Sequence, residues 1–77
     1  IHAATKYITG HSDSLLGIIV CKNKENYELV RTCAIRLGQC AGADDIYFGL
    51  RGLRTLSTRL RQHQVQAIGL AEWLQTL

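Results

Sequence analysis

The sequence predicts an α/β fold, of which these 77 residues form a mostly helical part with one short buried strand near the N-terminus. The run from Leu15 to Cys21 is apolar on both alternating faces, which is typical of a strand buried on both sides. Most of the remaining chain has apolar residues at helical spacing, including a long helix over residues 53–76. Strands of this kind belong to sheets with helices on each face, and a chain this short cannot cover both. We therefore expect an internal piece of a longer protein.

The segment after the strand predicts two helices. Asn23 can cap the first, whose apolar positions recur at steps of three and four residues. These positions are Val30, Cys33, Ala34, Leu37 and either Cys40 or Ala41. Gly42 is expected to end this helix. Asp44 or Asp45 can cap a short second helix, which Gly52 is expected to interrupt.

The long helix over residues 53–76 carries an apolar seam. Its members are Leu56, Leu60, His63, Ala67, Leu70 and Leu74. The seam is shorter than the three or four heptads that predict a coiled coil, so we expect this helix to pack along a neighbouring element. Without that neighbour the seam is exposed and favours self-association. One hypothesis is therefore a small helical module that associates with itself or with a partner helix.

The charge pattern does not predict a nucleic-acid or membrane protein. The net charge is +3, and four arginines, Arg51, Arg54, Arg59 and Arg61, are interleaved with leucines. We interpret them as the polar side of a half-buried helix, used for structural pairing or subunit contacts. The longest apolar run is far shorter than the roughly 20 residues that span a bilayer.

The cysteines and histidines do not predict a disulfide framework or a metal site. Cys21, Cys33 and Cys40 are odd in number and lack the CxxC spacing of zinc sites. We expect them to be reduced, buried small hydrophobes of a cytoplasmic protein. His2 and His63 share no ligand spacing with them, so we expect no metal.

The stretch AATKYITGHSD, residues 3–13, places Lys6 among small residues and hydroxyls. A lysine becomes a nucleophile only when its amine is neutral, which burial or a nearby cation favours. Gly10 lies in a predicted turn that can hold the loop rigid, and His11 is interpreted as a side chain that fixes the loop by bonding its backbone. From these residues alone, a solvated surface charge is the favoured interpretation of Lys6.

Two stretches carry a resemblance to a known family. The ten residues from Ala3 to Ser12 resemble, in order, the pyridoxal-phosphate attachment site of the Cys/Met-metabolism enzymes. The stretch RGLRTLSTRLRQH, residues 51–63, followed by AEWL, residues 71–74, is similar to one branch of that family, the bacterial cystathionine β-lyases. Together the similarity covers nearly the whole chain.

The resemblance implies a fold-type I enzyme that uses pyridoxal 5'-phosphate. Lys6 would attach the cofactor and serve as the base, Thr5 would bind its phosphate, and Ala3 stands where the family usually has a phosphate-binding serine. The substrate would be a small amino acid, cystathionine, cleaved by β-elimination to homocysteine, pyruvate and ammonia. The γ-lyases and γ-synthases of the same family are the alternative reading.

The same resemblance implies a place in a larger assembly. Residues 1–77 would belong to the large cofactor-binding domain, with the helix over residues 53–76 leading toward the C-terminal domain. The parent would be a homo-oligomer, since the family is homotetrameric. Other residues that the family uses lie outside this segment, so we expect the 77 residues alone to lack lyase activity.

Overall fold

A computed structural model describes all 77 residues. Its elements are, in chain order, strand β1 (His2–Ala3), strand β2 (Gly17–Ile18), helix α1 (Lys24–Leu37) and helix α2 (Ala43–Gln75). The two strands pair antiparallel, with His2 opposite Ile18 and Ala3 opposite Gly17. The prediction of a mostly helical chain with one short strand near the N-terminus is confirmed for β2, and β1 is a second strand that the sequence did not predict. The wider α/β fold stays a prediction.

The molecule is extended and has a very small core. Its radius of gyration is 17.0 Å, whereas a compact domain of this length has about 11–12 Å. Four residues are buried, Ala4, Thr9, Gly49 and Gly52. The core is therefore the contact between the loop that follows β1 and one segment of α2.

The strand predicted over residues 15–21 is short in the structure, and its apolar side chains are largely exposed. Only Gly17 and Ile18 pair, and their neighbours Leu15, Ile19 and Val20 are 81%, 56% and 78% exposed. Neither helix packs against the two-stranded ladder, in line with the expectation that a chain this short cannot cover both faces, and burial of this strand in a longer fold stays a prediction. An apolar run with no covering layer keeps its side chains in solvent.

Helix α1 begins as predicted and ends earlier than predicted. Asn23 is its N-cap, and its side-chain oxygen accepts a hydrogen bond from the backbone N–H of Asn26 at 2.8 Å. The helix ends at Gly38, which has φ 70°, and not at Gly42. A glycine in the left-handed region lets the chain turn back so that its N–H groups satisfy the last carbonyls, and Gly38 is the first glycine that can do so.

The cysteines are more exposed than predicted. Cys33 and Cys40 are exposed and Cys21 is half-buried; all three are free. The prediction of burial is wrong for Cys33, because α1 contacts no other element and has no buried residue. It is also wrong for Cys40, which is exposed in the segment between the two helices.

Helix α2 runs without a break from Ala43 to Gln75, so the predicted short helix and its interruption at Gly52 are wrong. Gly42 is the N-cap residue and makes no side-chain cap bond. Asp45 lies in the first turn, where a carboxylate is favourable next to the helix dipole, and its Oδ1 accepts a hydrogen bond from the Ser14 hydroxyl at 2.9 Å.

Two glycines of α2 do not break the helix and instead allow the N-terminal loop to pack closely against it. A methyl group added at Gly52 would overlap the carbonyl oxygens of Ile8 and Thr9, and one added at Gly49 would lie 2.8 Å from Leu16 Cδ2. A glycine within a helix costs about 1 kcal/mol relative to alanine. That cost is offset here because the bare backbone lets the N-terminal loop approach the helix closely.

The second half of α2 has no neighbour in this chain. Every residue from 61 to 77 is exposed, and Leu70, Trp73 and Leu74 are 56%, 55% and 52% exposed. No other element of the structure packs along this half of α2. The apolar seam is therefore exposed, as expected for the helix without a neighbour. Neither helix combines the length and the apolar character that crossing a membrane requires.

Replacing Gly52 with alanine is expected to destabilise the protein despite the better helix propensity of alanine. The added methyl group meets backbone atoms of the loop, so we expect the free energy of unfolding to fall by about 1–3 kcal/mol. Gly69→Ala is the matched control in the same helix, because nothing lies within 4 Å of its added methyl group. It should raise stability by up to about 1 kcal/mol. Urea titration measures both, and a stabilising Gly52→Ala would contradict the packing.

Replacing Asn23 with alanine should loosen the first turn of α1 and little else. Loss of an N-cap acceptor costs about 0.5–2 kcal/mol, and α1 contacts no other element. Amide hydrogen exchange should therefore accelerate in the first turn of α1 and stay unchanged in α2. Asn23→Asp keeps the acceptor and should retain protection; equal exchange in the two variants would argue against the cap.

Candidate functional site

Residues 4–10, called here the lysine loop, form a closed turn around Lys6. The backbone N–H of Thr9 donates to the Ala4 carbonyl and that of Gly10 to the Lys6 carbonyl, both at 2.9 Å. The Thr9 hydroxyl donates to the Thr5 carbonyl at 2.7 Å. Gly10 has φ 77°, a left-handed conformation that suits glycine. The turn thus fixes the backbone on both sides of the lysine.

The start of the lysine loop is anchored to the segment that leads into β2. The Ala4 N–H donates to the Leu16 carbonyl at 2.8 Å, and the Leu16 N–H donates to the Thr5 hydroxyl oxygen at 3.0 Å. The Thr5 hydroxyl reaches the Leu16 carbonyl only at 3.4 Å, beyond the usual length of an O–H donor bond. Its proton is therefore available to a better acceptor.

The end of the lysine loop is anchored to α2 by Arg59. Nη1 of its guanidinium donates to the Tyr7 carbonyl at 2.6 Å, and Nη2 donates to the carbonyls of Ile8 at 3.2 Å and Gly52 at 2.6 Å. Nε donates to the Thr55 hydroxyl at 3.1 Å. One side chain thus joins the loop to the helix through four hydrogen bonds.

Sequence reasoning grouped the four arginines and missed the special position of Arg59. The spacing could have indicated this position: Gly52 and Arg59 are seven residues apart, which is two helical turns, so both lie on one face of α2. The general interpretation as structural pairing is confirmed for Arg59 and for Arg51, which pairs with Asp13 and lies 4.8 Å from the centre of the Phe48 ring. Arg54 and Arg61 are exposed.

The histidines near the loop have structural contacts. His11 Nδ1 lies 2.8 Å from the Thr9 carbonyl oxygen and donates to it when the proton is on that nitrogen, which confirms the loop-fixing interpretation. The His63 ring meets the Tyr7 ring edge-on, with 6.0 Å between centroids. No group of three or more His, Cys, Asp or Glu side chains is placed to hold a metal ion.

Lys6 stands at an open polar cleft of about 360 Å³, called here the lysine cleft. Its lining residues are Thr5, Lys6, Tyr7, Gly10, Ser12, Ser14, Arg59 and His63. The structure therefore brings Lys6 and Thr5 together at one site. Ala3 is exposed in β1 and does not line the cleft.

The groups of the lysine cleft suit an aldehyde that carries a phosphate. An exposed amine can condense with an aldehyde, and free hydroxyl donors suit a phosphate. Thr5 has a weakly engaged hydroxyl, and the Ser12 side chain makes no hydrogen bond within the chain. Ser12 also has φ 56°, which holds its side chain in an uncommon backbone setting at the cleft. The residues present thus fit pyridoxal phosphate.

Comparison with known proteins gives matches along the whole chain. The chain is 50% identical over 74 residues to the cystathionine β-lyase MetC of Escherichia coli (strain K12), which covers 96% of this chain and 18% of that protein. It is 40% identical to a cystathionine γ-lyase of Saccharomyces cerevisiae, with coverages of 96% and 19%, and 39% identical to a cystathionine γ-synthase of Haemophilus influenzae, with coverages of 96% and 20%. No solved structure matches.

The chain thus spans about a fifth of the length of these curated relatives. The family model described as Cys/Met metabolism PLP-dependent enzyme matches residues 1–77. The resemblance found in the attachment-site and arginine-rich stretches is confirmed by this match and by the similarity to the E. coli β-lyase. The chain belongs to the Cys/Met metabolism family of PLP-dependent enzymes.

Proposed function

We propose that this chain is the lysine-bearing segment of a carbon–sulfur lyase that cleaves cystathionine by β-elimination. Cystathionine and water would give homocysteine, pyruvate and ammonia. The greater identity to the E. coli β-lyase, 50%, than to the γ-lyase, 40%, or the γ-synthase, 39%, supports this reaction within the family.

The observation that carries the proposal is an exposed amine on a fully bonded loop. Each backbone carbonyl from Ala4 to Ile8 accepts a hydrogen bond from the loop itself or from Arg59. The Lys6 side chain remains exposed at the lysine cleft. A group that both tethers a cofactor and moves a proton needs this combination, because its backbone must be held while its nitrogen reaches the reacting atoms.

The proposed roles follow from the positions in the cleft. Lys6 attaches pyridoxal 5'-phosphate through its Nζ and, once released, takes the proton from the substrate Cα. Thr5 donates its hydroxyl proton to the phosphate. When bound, the cofactor supplies an electron sink for the charge left at Cα. Ala3 lies two residues before Thr5 and outside the cleft lining, so its assignment to the phosphate rests on the family resemblance and not on its position.

The exposed apolar surface supports an oligomeric parent. Leu70, Trp73 and Leu74 on α2 and Ile19 and Val20 beside β2 are all more than half exposed. We propose that residues 1–77 belong to the large cofactor-binding domain of a homo-oligomer, with α2 leading toward the C-terminal domain. A cytoplasmic location is part of the same proposal and is supported by the three free cysteines.

The same apolar face supports the second candidate, a helical module that self-associates through the seam of α2. Both candidates fit the exposed leucines. They differ in Lys6, because the helical module assigns no chemistry to that side chain.

Replacing Lys6 with alanine should abolish attachment of the cofactor in the full-length protein. After borohydride reduction, mass spectrometry should find pyridoxal phosphate bonded to the peptide containing Lys6 and to no other lysine. Lys6→Ala should lose the adduct and lower kcat for cystathionine by roughly 10²–10⁴-fold, the usual contribution of a general base. Lys22→Ala, an exposed lysine outside the cleft, is the control and should behave as wild type.

The products separate the lyases. β-Elimination releases pyruvate and homocysteine from cystathionine, whereas cleavage on the other side of sulfur releases cysteine and 2-oxobutyrate. Release of 2-oxobutyrate without pyruvate would replace the β-lyase proposal by the γ-lyase. An unchanged kcat in Lys6→Ala would overturn the enzymatic proposal altogether.

Replacing Thr5 with valine should weaken cofactor binding because the substitution keeps the shape and removes the hydroxyl. A hydrogen bond to a charged phosphate is worth about 1.5–3 kcal/mol, so Kd should rise at least about tenfold. Thr5→Ser keeps the hydroxyl and its bond to the Leu16 N–H, and should bind within a few-fold of wild type. Titration of the cofactor's visible absorbance measures both; equal Kd values in the two variants would exclude a phosphate contact.

A further inference from the structure

We propose that Arg59 is a positioning residue for the reaction: by closing the end of the lysine loop against α2, it holds the Lys6 amine in its working direction. This inference rests on the proposed function, because it assigns Lys6 the chemical role. Arg59 itself acts only through the loop backbone and does not need to touch the substrate.

The bonding pattern of the lysine loop leaves a specific task for Arg59. The turn satisfies the carbonyls of Ala4, Thr5 and Lys6 by itself. The next two carbonyls, those of Tyr7 and Ile8, receive no donor from the turn, and these are the two that the guanidinium binds. Without Arg59 these two carbonyls would have no hydrogen-bond donor within the chain.

The helix side of the contact is equally defined. The Arg59 guanidinium also donates to the Gly52 carbonyl at 2.6 Å, and Thr55 holds its Nε at 3.1 Å. Contacts within α2 thus hold the guanidinium in place independently of its bonds to the lysine loop. A rigid element that carries the anchor transmits less motion to the lysine than a second loop would.

The space around the guanidinium is shaped by glycines. A methyl group added at Gly10 would lie 2.5 Å from Arg59 Cζ, and one added at Gly52 would lie 2.7 Å from the carbonyl carbon of Thr9. The loop, the guanidinium and the helix are thus in direct contact. Small displacements of the side chain have to move the loop backbone that bears Lys6.

The geometry requires arginine rather than any cation. A planar guanidinium offers several donors in a fixed arrangement, and here it reaches four acceptors at once. A lysine ammonium is a flexible point charge on a different stem and cannot keep the same acceptors. Arg59→Lys therefore keeps the charge and removes the fixed geometry.

The test compares Arg59→Lys with Arg54→Lys in the full-length holoenzyme. Arg54 lies on the same helix, is exposed and makes no hydrogen bond, so its substitution is the matched control. We expect Arg59→Lys to lower kcat for cystathionine about tenfold or more, the size of effect that misplacing a reacting group produces, with KM changed by less than about threefold. The control should match wild type in both constants.

Two further readouts separate positioning from simple stability. The visible absorbance of the bound cofactor should change in shape in Arg59→Lys and not in the control, because the attached amine changes direction. Amide hydrogen exchange at Thr9 and Gly10 should be about tenfold faster, since these N–H groups close the turn. Faster exchange with unchanged kcat and absorbance would overturn the proposal, because Arg59 would then be only structural. Unchanged exchange would overturn it as well.

A milder variant covers the case in which Arg59→Lys does not fold. Thr55→Val removes only the acceptor of Arg59 Nε and leaves the bonds to Tyr7 and Ile8 possible. It should shift exchange, absorbance and kcat in the same direction by a smaller factor, and no shift in any of them would overturn the proposal. Failure of the proposed function is distinguishable, because it appears as an unchanged kcat in Lys6→Ala whatever Arg59 does.

Discussion

The interaction on which the rest of the structure depends is the set of hydrogen bonds from the Arg59 guanidinium to the carbonyls of Tyr7, Ile8 and Gly52. The chain buries four residues, and the guanidinium binds the carbonyl of one of them, Gly52. Charge-assisted bonds of this kind are about twice as strong as neutral ones. In a molecule with so little apolar burial, they define where the lysine loop lies relative to α2.

The two glycines of α2 make this contact possible. Gly49 accommodates the Leu16 side chain and Gly52 accommodates the loop backbone, so the helix surface is flat where the loop crosses it. The same residues weaken the isolated helix. Their effect on stability therefore has opposite signs in the isolated helix and in the folded chain, and the packing decides which one prevails.

Outside this contact the chain exposes far more surface than its size requires. Its accessible area is 6654 Å², whereas a compact protein of this mass exposes about 4,700 Å². Helix α1 has no partner, and the apolar seam of α2 is open. The chain spans about a fifth of the length of its relatives, and its exposed apolar faces are the surfaces on which further structure could pack. The lysine loop is the exception, since its order comes from contacts within the chain.

The sequence by itself determined the features that depend on neighbouring residues. These are the cap at Asn23, the helical periodicity of α1 and α2, and the order of residues around Lys6 that identifies the family. Tertiary structure decided the features that depend on residues far apart in the chain. Gly52 does not interrupt the helix, and the lysine loop occupies the space that a side chain at this position would need. Arg59 differs from the other three arginines because it alone binds the carbonyls of Tyr7 and Ile8. A local sequence pattern reflects only the conformational preferences of neighbouring residues. It could not predict these contacts, because they join groups about fifty residues apart.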